Sequence, residues 1–247
     1  MANPAFDIAG ARGRKRTWRV SIPAWLVLIC LVTHTVLISA GAAIYKNAPP
    51  ISAMVVSPQQ DIILTQEAIE QEQAAYLARG GQHIGSIWGH GGYPAPKWTA
   101  DVLHRWRLAT AGALYNGDLD FEQTDLEALP AVDWATLLAK VKQEFKLNCY
   151  DADTGALMLT TAQTQGLKKV FADYQTLLLR GSAVHSIPSG WFTDTAQIRN
   201  VTVFFGWTAW VAAATRPNSP LSYTANFPHD VLRLAFSTNR PRLDLLS

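Results

Sequence analysis

Between Gly80 and Arg105 the chain reads GGQHIGSIWGHGGYPAPKWTADVLHR, a glycine-rich stretch running into a helical pattern. Gly85 to Trp98 holds four glycines and two prolines, which predicts loop. Thr99 is then placed to cap a helix through Asp101, His104 and Arg107 to Tyr115. Upstream, Thr65 opens TQEAIEQEQAAYLARGG, with Thr65 as N-cap, Glu67 and Glu70 at the positive end of the helix dipole, and Gly80-Gly81 as the stop. Ile69, Gln73, Tyr76 and Leu77 mark one face of that helix, and Ile69, Tyr76 and Leu77 form its apolar part. A second tryptophan-rich stretch, FFGWTAWVAAATRPNSPLSYTANFPHD, runs from Phe204 to Asp230.

The 247 residues suffice for one membrane anchor and one domain, or for two small domains. Nearly half are hydrophobic and nine are Trp, enough for a sizeable core. The net charge of +2 hides an asymmetry. Residues 1–21 carry Arg12, Arg14, Lys15, Arg16 and Arg19 against Asp7, so the rest of the chain is slightly acidic. That body offers no nucleic-acid surface, and no nucleic-acid partner is expected. Cys30 and Cys149 are the whole cysteine supply. Cys30 lies in an apolar run, which argues against a disulfide between them. Without CxxC or CxxCH, neither a zinc site nor a covalently attached c-type haem is expected.

Trp25 to Tyr45, WLVLICLVTHTVLISAGAAIY, is long enough to cross a hydrocarbon core of roughly 30 Å. Trp18, Trp25 and Tyr45 suit the two interfaces, and the basic head places the N-terminus in the cytoplasm. A cleaved signal peptide is the rival reading, since Ser39 to Ala43 offers small residues, but its apolar core would be shorter. His34, flanked by Thr33 and Thr35, reads either as a proton or haem site or as a neutral imidazole bonded to a carbonyl. A single span offers it no second ligand, which favours the carbonyl.

Asn47-Ala48-Pro49-Pro50 stops the anchor and begins an extended linker to Pro58. Helix is predicted over Val132–Phe145, a short strand over 155–159, and a capping box at Thr160 and Gln163 opens a helix ending near Arg180-Gly181. Val201 to Ala214 is apolar but short for a span, so it lies at the membrane surface or packs under the domain. The expected layout is a basic cytoplasmic head (1–21), a transmembrane helix (22–46), an extracytoplasmic domain (47–200), and an apolar interfacial helix with a polar tail (201–247).

The two tryptophan-rich stretches resemble the extracytoplasmic segment that precedes the catalytic helices of quinol-dependent, single-subunit nitric oxide reductases. The shared pattern is Gly-Ser-Ile-Trp-Gly-His-Gly followed by a helix start that reads Trp-Thr-Ala-Asp here and Trp-Ser-Ala-Asp in the family, ending in Leu-His-Arg, and later Thr-Arg-Pro and Ser-Tyr-Thr. With the anchor, the resemblance covers most of residues 20 to 230. It implies a mainly α fold, in which the transmembrane helix carries a cytochrome c-like helical domain with short strands. In the related cytochrome c subunits, Cys-x-x-Cys-His precedes Gly-Ala-Tyr. Laid on Gly91-Gly92-Tyr93, that pattern falls on Gly81, Ile84 and Gly85, which have neither thiol nor imidazole. The resemblance therefore implies no c-type haem and a quinol as electron donor.

It further implies that Gly91 and Tyr93 supply oxygens to a calcium ion shared with the catalytic portion. Two oxygens cannot hold calcium alone, and a glycine turn with Tyr93 packed in an interface is the other reading. His90 reads as a hydrogen-bonding loop residue, and His104 with Arg105 as packing or meeting the catalytic portion. Gly92, Pro94, Lys97, Val102, Ala225 and Phe227 depart from the family's usual residues, the mark of a divergent copy. After Asp230 the match fades before any catalytic helix.

The full family enzyme reduces two NO to N2O and water at a haem b3/non-haem iron centre, with haem b as a further cofactor. The ligands of that centre lie on helices downstream of the matching segment. The expectation is a truncated or split reductase in a bacterial inner membrane, not catalytic by itself, whose partners are the membrane and a catalytic portion, with quinol bound only through that portion. A stand-alone membrane-tethered interaction module is the alternative. A cytochrome binding noncovalent haem through His34 of two copies is a third.

Overall fold

The structure is a computed structural model that describes residues 21–78, 80–91, 96–183, 187, 189 and 194–224. It divides into two units, Met1–Asn47 and Ala48–Ser247. In the first, Pro23 opens a helix, α1 (Ile22–Lys46), none of whose residues is buried. Mean hydropathy reaches 2.2 in its most apolar window, so α1 is long and apolar enough to cross a membrane. Two of its polar side chains bond back within the helix. His34 Nδ1 lies 2.7 Å from the Cys30 carbonyl, and the Thr35 hydroxyl donates to the Leu31 carbonyl at 2.8 Å. Asn47 closes the end by donating to the Ala43 carbonyl.

In the second unit the segment read as a linker to Pro58 contains β1 (Met54–Val56). This strand pairs antiparallel with β2 (Ile62–Thr65) and parallel with β5 (Ala156–Met158), in the order β2-β1-β5. Ser57 builds the β1–β2 turn, its hydroxyl accepting from the backbone N–H groups of Gln59 and Asp61. Val55, Leu64 and Leu157, paired across the three strands, are all buried and form the sheet's contribution to the core.

Helices make up the rest: α2 (Gln66–Ala78), α3 (Gly81–Ile84), α4 (Trp98–Tyr115), α5 (Gln123–Ala128), α6 (Ala131–Lys146), α7 (Thr161–Arg180) and α8 (Thr195–Ala213). The predicted capping box opens α7: the Thr160 hydroxyl accepts from Gln163 N–H at 3.2 Å, and the Gln163 amide oxygen accepts from Thr160 N–H at 3.0 Å. Leu167, Val170, Tyr174 and Leu178 then repeat at helical spacing along the buried face of α7. This face packs against α4, and both helices pack against α8.

Four sequence expectations need correction. Leu77 is exposed, and Glu72 takes a place on the buried face of α2 beside Ile69 and Tyr76. Part of Gly85–Trp98 is a hairpin of β3 (Ser86–Ile87) and β4 (His90–Gly91), because two positive-φ residues at its tip close a tight turn. Thr99 is no cap, since α4 begins at Trp98 and its hydroxyl is taken up elsewhere. Of the two placements expected for the apolar run from Val201, packing against the domain holds and the membrane surface does not. The run is the body of α8, which begins at Thr195, and residues 201–213 are buried throughout. It packs against α2, α4, α6 and α7, so the division drawn at residue 200 falls inside a core helix.

Candidate functional site

The two sequence motifs meet in the fold. The hairpin tip holds Trp88 at φ 52° and Gly89 at φ 83°. For a tryptophan that conformation is costly, so it persists only where surrounding contacts enforce it. They are present. The Trp88 indole N–H donates to the Thr208 carbonyl at 2.9 Å, and its backbone N–H donates to the Thr99 hydroxyl at 3.3 Å. Thr99 and Thr208 hydroxyls lie 3.1 Å apart, and the Trp88 and Trp207 rings are 5.6 Å apart. At the hairpin's base Ser86 N–H donates to the Pro96 carbonyl at 2.8 Å. Residues 109 and 120 positions apart in sequence are thus joined in one contact.

Beneath the hairpin lies an aromatic cluster. The Trp98 and Phe205 rings stack 5.2 Å apart with a 9° interplanar angle, and Tyr174 meets both edge-on at 6.2 Å. Tyr76 joins from α2, 5.8 Å from Phe205 and 5.7 Å from Phe204. All five residues are buried. Burial pushes the Tyr76 phenol up to about 12, and its hydroxyl donates to the Gly85 carbonyl at 3.3 Å. Burial also lifts the Tyr174 phenol well above its ordinary value, and the negative charge of Asp101, to which Tyr174 donates, adds to the effect.

This cluster bears on the positions Gly81 and Gly85. A Cβ at Gly85 would fall 1.7 Å from the Trp98 indole nitrogen, and one at Gly81 would fall 2.4 Å from the Tyr76 ring. Neither place accepts a cysteine or histidine side chain without displacing a buried aromatic ring. The residues present therefore do not fit a covalently held haem: the thiols and imidazole are missing, and two of the three positions have no room for them. Gly91 sits in β4, with Ser86 as its pairing partner, and its hairpin neighbour His90 is exposed. Tyr93, the other expected calcium ligand, lies outside the described residues, as do His185 and His229. Among the described residues no three His, Cys, Asp or Glu side chains converge as a metal site.

Asp101, His104 and Arg105 share one side of α4 and line a cavity of about 350 Å³, together with Asp120, Lys169 and Asp173. Arg105 Nε is 2.9 Å from Asp101, and its guanidinium lies 5.8 Å from the centre of the Tyr174 ring. Burial opposes the Arg105 charge, but Asp101 together with Tyr174 and Asp173 outweighs it and the guanidinium pKa is raised. Sequence reasoning missed Tyr174, although its spacing with Val170 and Leu178 could have marked it as core. It also gave Thr99 the wrong task.

A mainly α domain with a small sheet, built on these two motifs and preceded in the chain by an apolar helix, defines the class: a cytochrome c-like domain. The family model for the NorB cytochrome c-like domain of nitric oxide reductase matches residues 52–229, and the chain belongs to that family. Comparison with curated proteins finds no match.

Proposed function

We propose that this chain is the N-terminal, membrane-anchored portion of a quinol-dependent nitric oxide reductase, and that its domain is a haem-free platform for the catalytic helices. The observation that carries the reading is the buried cluster of Tyr76, Trp98, Tyr174 and Phe205, packed against Gly81 and Gly85 where a cytochrome would attach its haem. A rigid aromatic core at that place supports a scaffold role over electron transfer. In the same reading α1 anchors the chain in a bacterial inner membrane with residues 1–21 in the cytoplasm, and the domain faces the periplasm. The pinned hairpin presents His90 and Gly91 to the catalytic portion. Gly91 then gives its carbonyl to an interfacial calcium ion whose remaining oxygens come largely from that portion. Quinol, haem b, haem b3 and non-haem iron belong to the catalytic portion.

Coexpression of the chain with a catalytic portion should yield a membrane complex that consumes NO, while the chain alone consumes none. NO consumption by the chain alone, or a haem band in its reduced-minus-oxidised spectrum, would overturn the platform reading. A catalytic portion that is equally active and equally stable without the chain would favour a stand-alone membrane-tethered module instead.

A further inference from the structure

On the side of the domain formed by β2, α7 and the first turns of α8 lies a groove of about 830 Å³. Its lining is mixed: Ile62 and Ile63 from β2, Phe171 from α7 and Val203 from α8 supply an apolar strip, and Thr65, Gln175, Thr195 and Asn200 supply neutral polar groups. Ile62 is 62 % exposed and gives the groove an accessible apolar rim. Two cations stand among the lining residues, Lys168 and Arg199, both exposed, and no carboxylate is among them. Neither forms an ion pair among the described residues. The next residue along α7 makes the contrast plain. Lys169 is held by two carboxylates, Asp173 at 2.6 Å and Asp120 at 2.9 Å. The groove thus offers an apolar strip flanked by two uncompensated positive charges.

The chain's own termini do not complement it. Residues 1–20 hold five basic side chains against Asp7, and residues 225–247 hold Arg233, Arg240 and Arg242 against Asp230 and Asp244. A complementary ligand would be both anionic and apolar. We propose that the groove binds one anionic phospholipid, its phosphate between Lys168 and Arg199 and the upper part of an acyl chain along Ile62, Ile63, Phe171 and Val203. This rests on the reading of α1 as a membrane anchor, which keeps the domain and bilayer lipid on one tether at high local concentration. An arginine from α8 and a lysine from α7 suit a phosphate, the first through its planar fork and the second as a point charge.

The test uses the full chain in phosphatidylcholine nanodiscs containing a minor fraction of phosphatidylglycerol, with lipids retained on release counted by native mass spectrometry. The wild type should keep one phosphatidylglycerol in preference to phosphatidylcholine. The double variant Lys168→Gln/Arg199→Gln should lose that preference about thirtyfold, as expected for two cations near anionic lipid. Ala172→Trp, which fills the groove and leaves both cations in place, should lose it too. Equal retention of the two lipids, or unchanged retention by the double variant, would overturn the proposal. So would displacement of the lipid by millimolar inorganic phosphate, the result of a site for free anions, or by an acidic peptide seated on the β2 edge. A chain that never enters the bilayer overturns the anchor reading and the lipid proposal with it, a failure distinguishable from a membrane-bound chain without lipid preference.

Discussion

α1 and α8 are the two most apolar helices of the chain, and they are apolar for opposite reasons. Every residue of α1 is exposed, and two of its polar side chains, His34 and Thr35, bond back to carbonyls one turn earlier. That self-sufficiency is what a hydrocarbon environment demands, because no neighbour supplies a partner there. In α8, residues 201–213 are buried, and several polar groups are met by other elements. Trp207 donates to the Pro50 carbonyl at 3.1 Å, while Thr208 engages both Thr99 and Trp88. Similar hydropathy thus belongs to a fully exposed helix in one place and to a domain centre in the other. What tells them apart is the tertiary bonding that α8 adds to its local bonds, Thr202 to the Ile198 carbonyl and Thr208 to the Phe205 carbonyl.

The most severe way to break this comparison is to place the same charge in both helices. Ala209→Lys puts an ammonium where the side chain is 0 % exposed. The penalty, several kcal/mol after relaxation, rivals the whole stability of a typical domain of about 5–15 kcal/mol. Near-UV circular dichroism from the Trp98–Phe205 cluster should vanish. Leu31→Lys in α1 should leave that signal intact and oppose membrane insertion by roughly 2.5–3.5 kcal/mol, read as a shift from membrane to soluble or aggregated fractions. If both variants lose the near-UV signal, or neither does, the contrast between the helices fails.

Phe205→Ala comes next. Removing the ring stacked on Trp98 should cost about 3–5 kcal/mol, because the rigid neighbours collapse only partly into the space. Chemical denaturation followed by tryptophan fluorescence would measure it. A loss below about 1 kcal/mol would mean that the cluster is not tightly packed.

Alkaline titration probes the same cluster more gently. Tyr76 and Tyr174 both have folded pKa values raised above the unfolded value near 10, Tyr76 to about 12. A raised folded value means that the native state holds the proton longer. The stability contribution is therefore complete below pH 10 and is lost as pH rises through the folded values. The denaturation midpoint should hold steady to pH 10 and then fall. Tyrosinate absorbance at these two residues should lag behind that of exposed tyrosines, and Tyr174→Phe should shrink the lag. A midpoint independent of pH from 10 to 12 would contradict the burial.

The smallest effect concerns a local device. Thr160→Ala removes the N-cap hydroxyl of α7, which also donates to Glu144 at 2.7 Å. A loss of about 1 kcal/mol is expected, largely restored by Thr160→Ser. Because this cap lies outside both apolar helices, the variant should reduce domain stability without changing membrane partition.

What the sequence alone determined was local. The length and hydropathy of α1, the capping box at Thr160 and Gln163, the strand near 156–158 and the stop at Arg180 follow from patterns confined to a few turns of chain. The missing thiols and imidazole at Gly81, Ile84 and Gly85 were equally plain, since residue identity suffices for that statement. Tertiary structure decided what fills those places. A glycine in a sequence does not say that Trp98 or Tyr76 occupies the volume beside it, because those rings are positioned by Phe205 and Tyr174 from distant helices. It also decided that Thr99 anchors a hairpin and that Val201–Ala213 is core. Caps and hydrophobic periodicity are short-range effects along one backbone. Burial and hydrogen-bond pairing across more than a hundred residues exist only once the helices have packed.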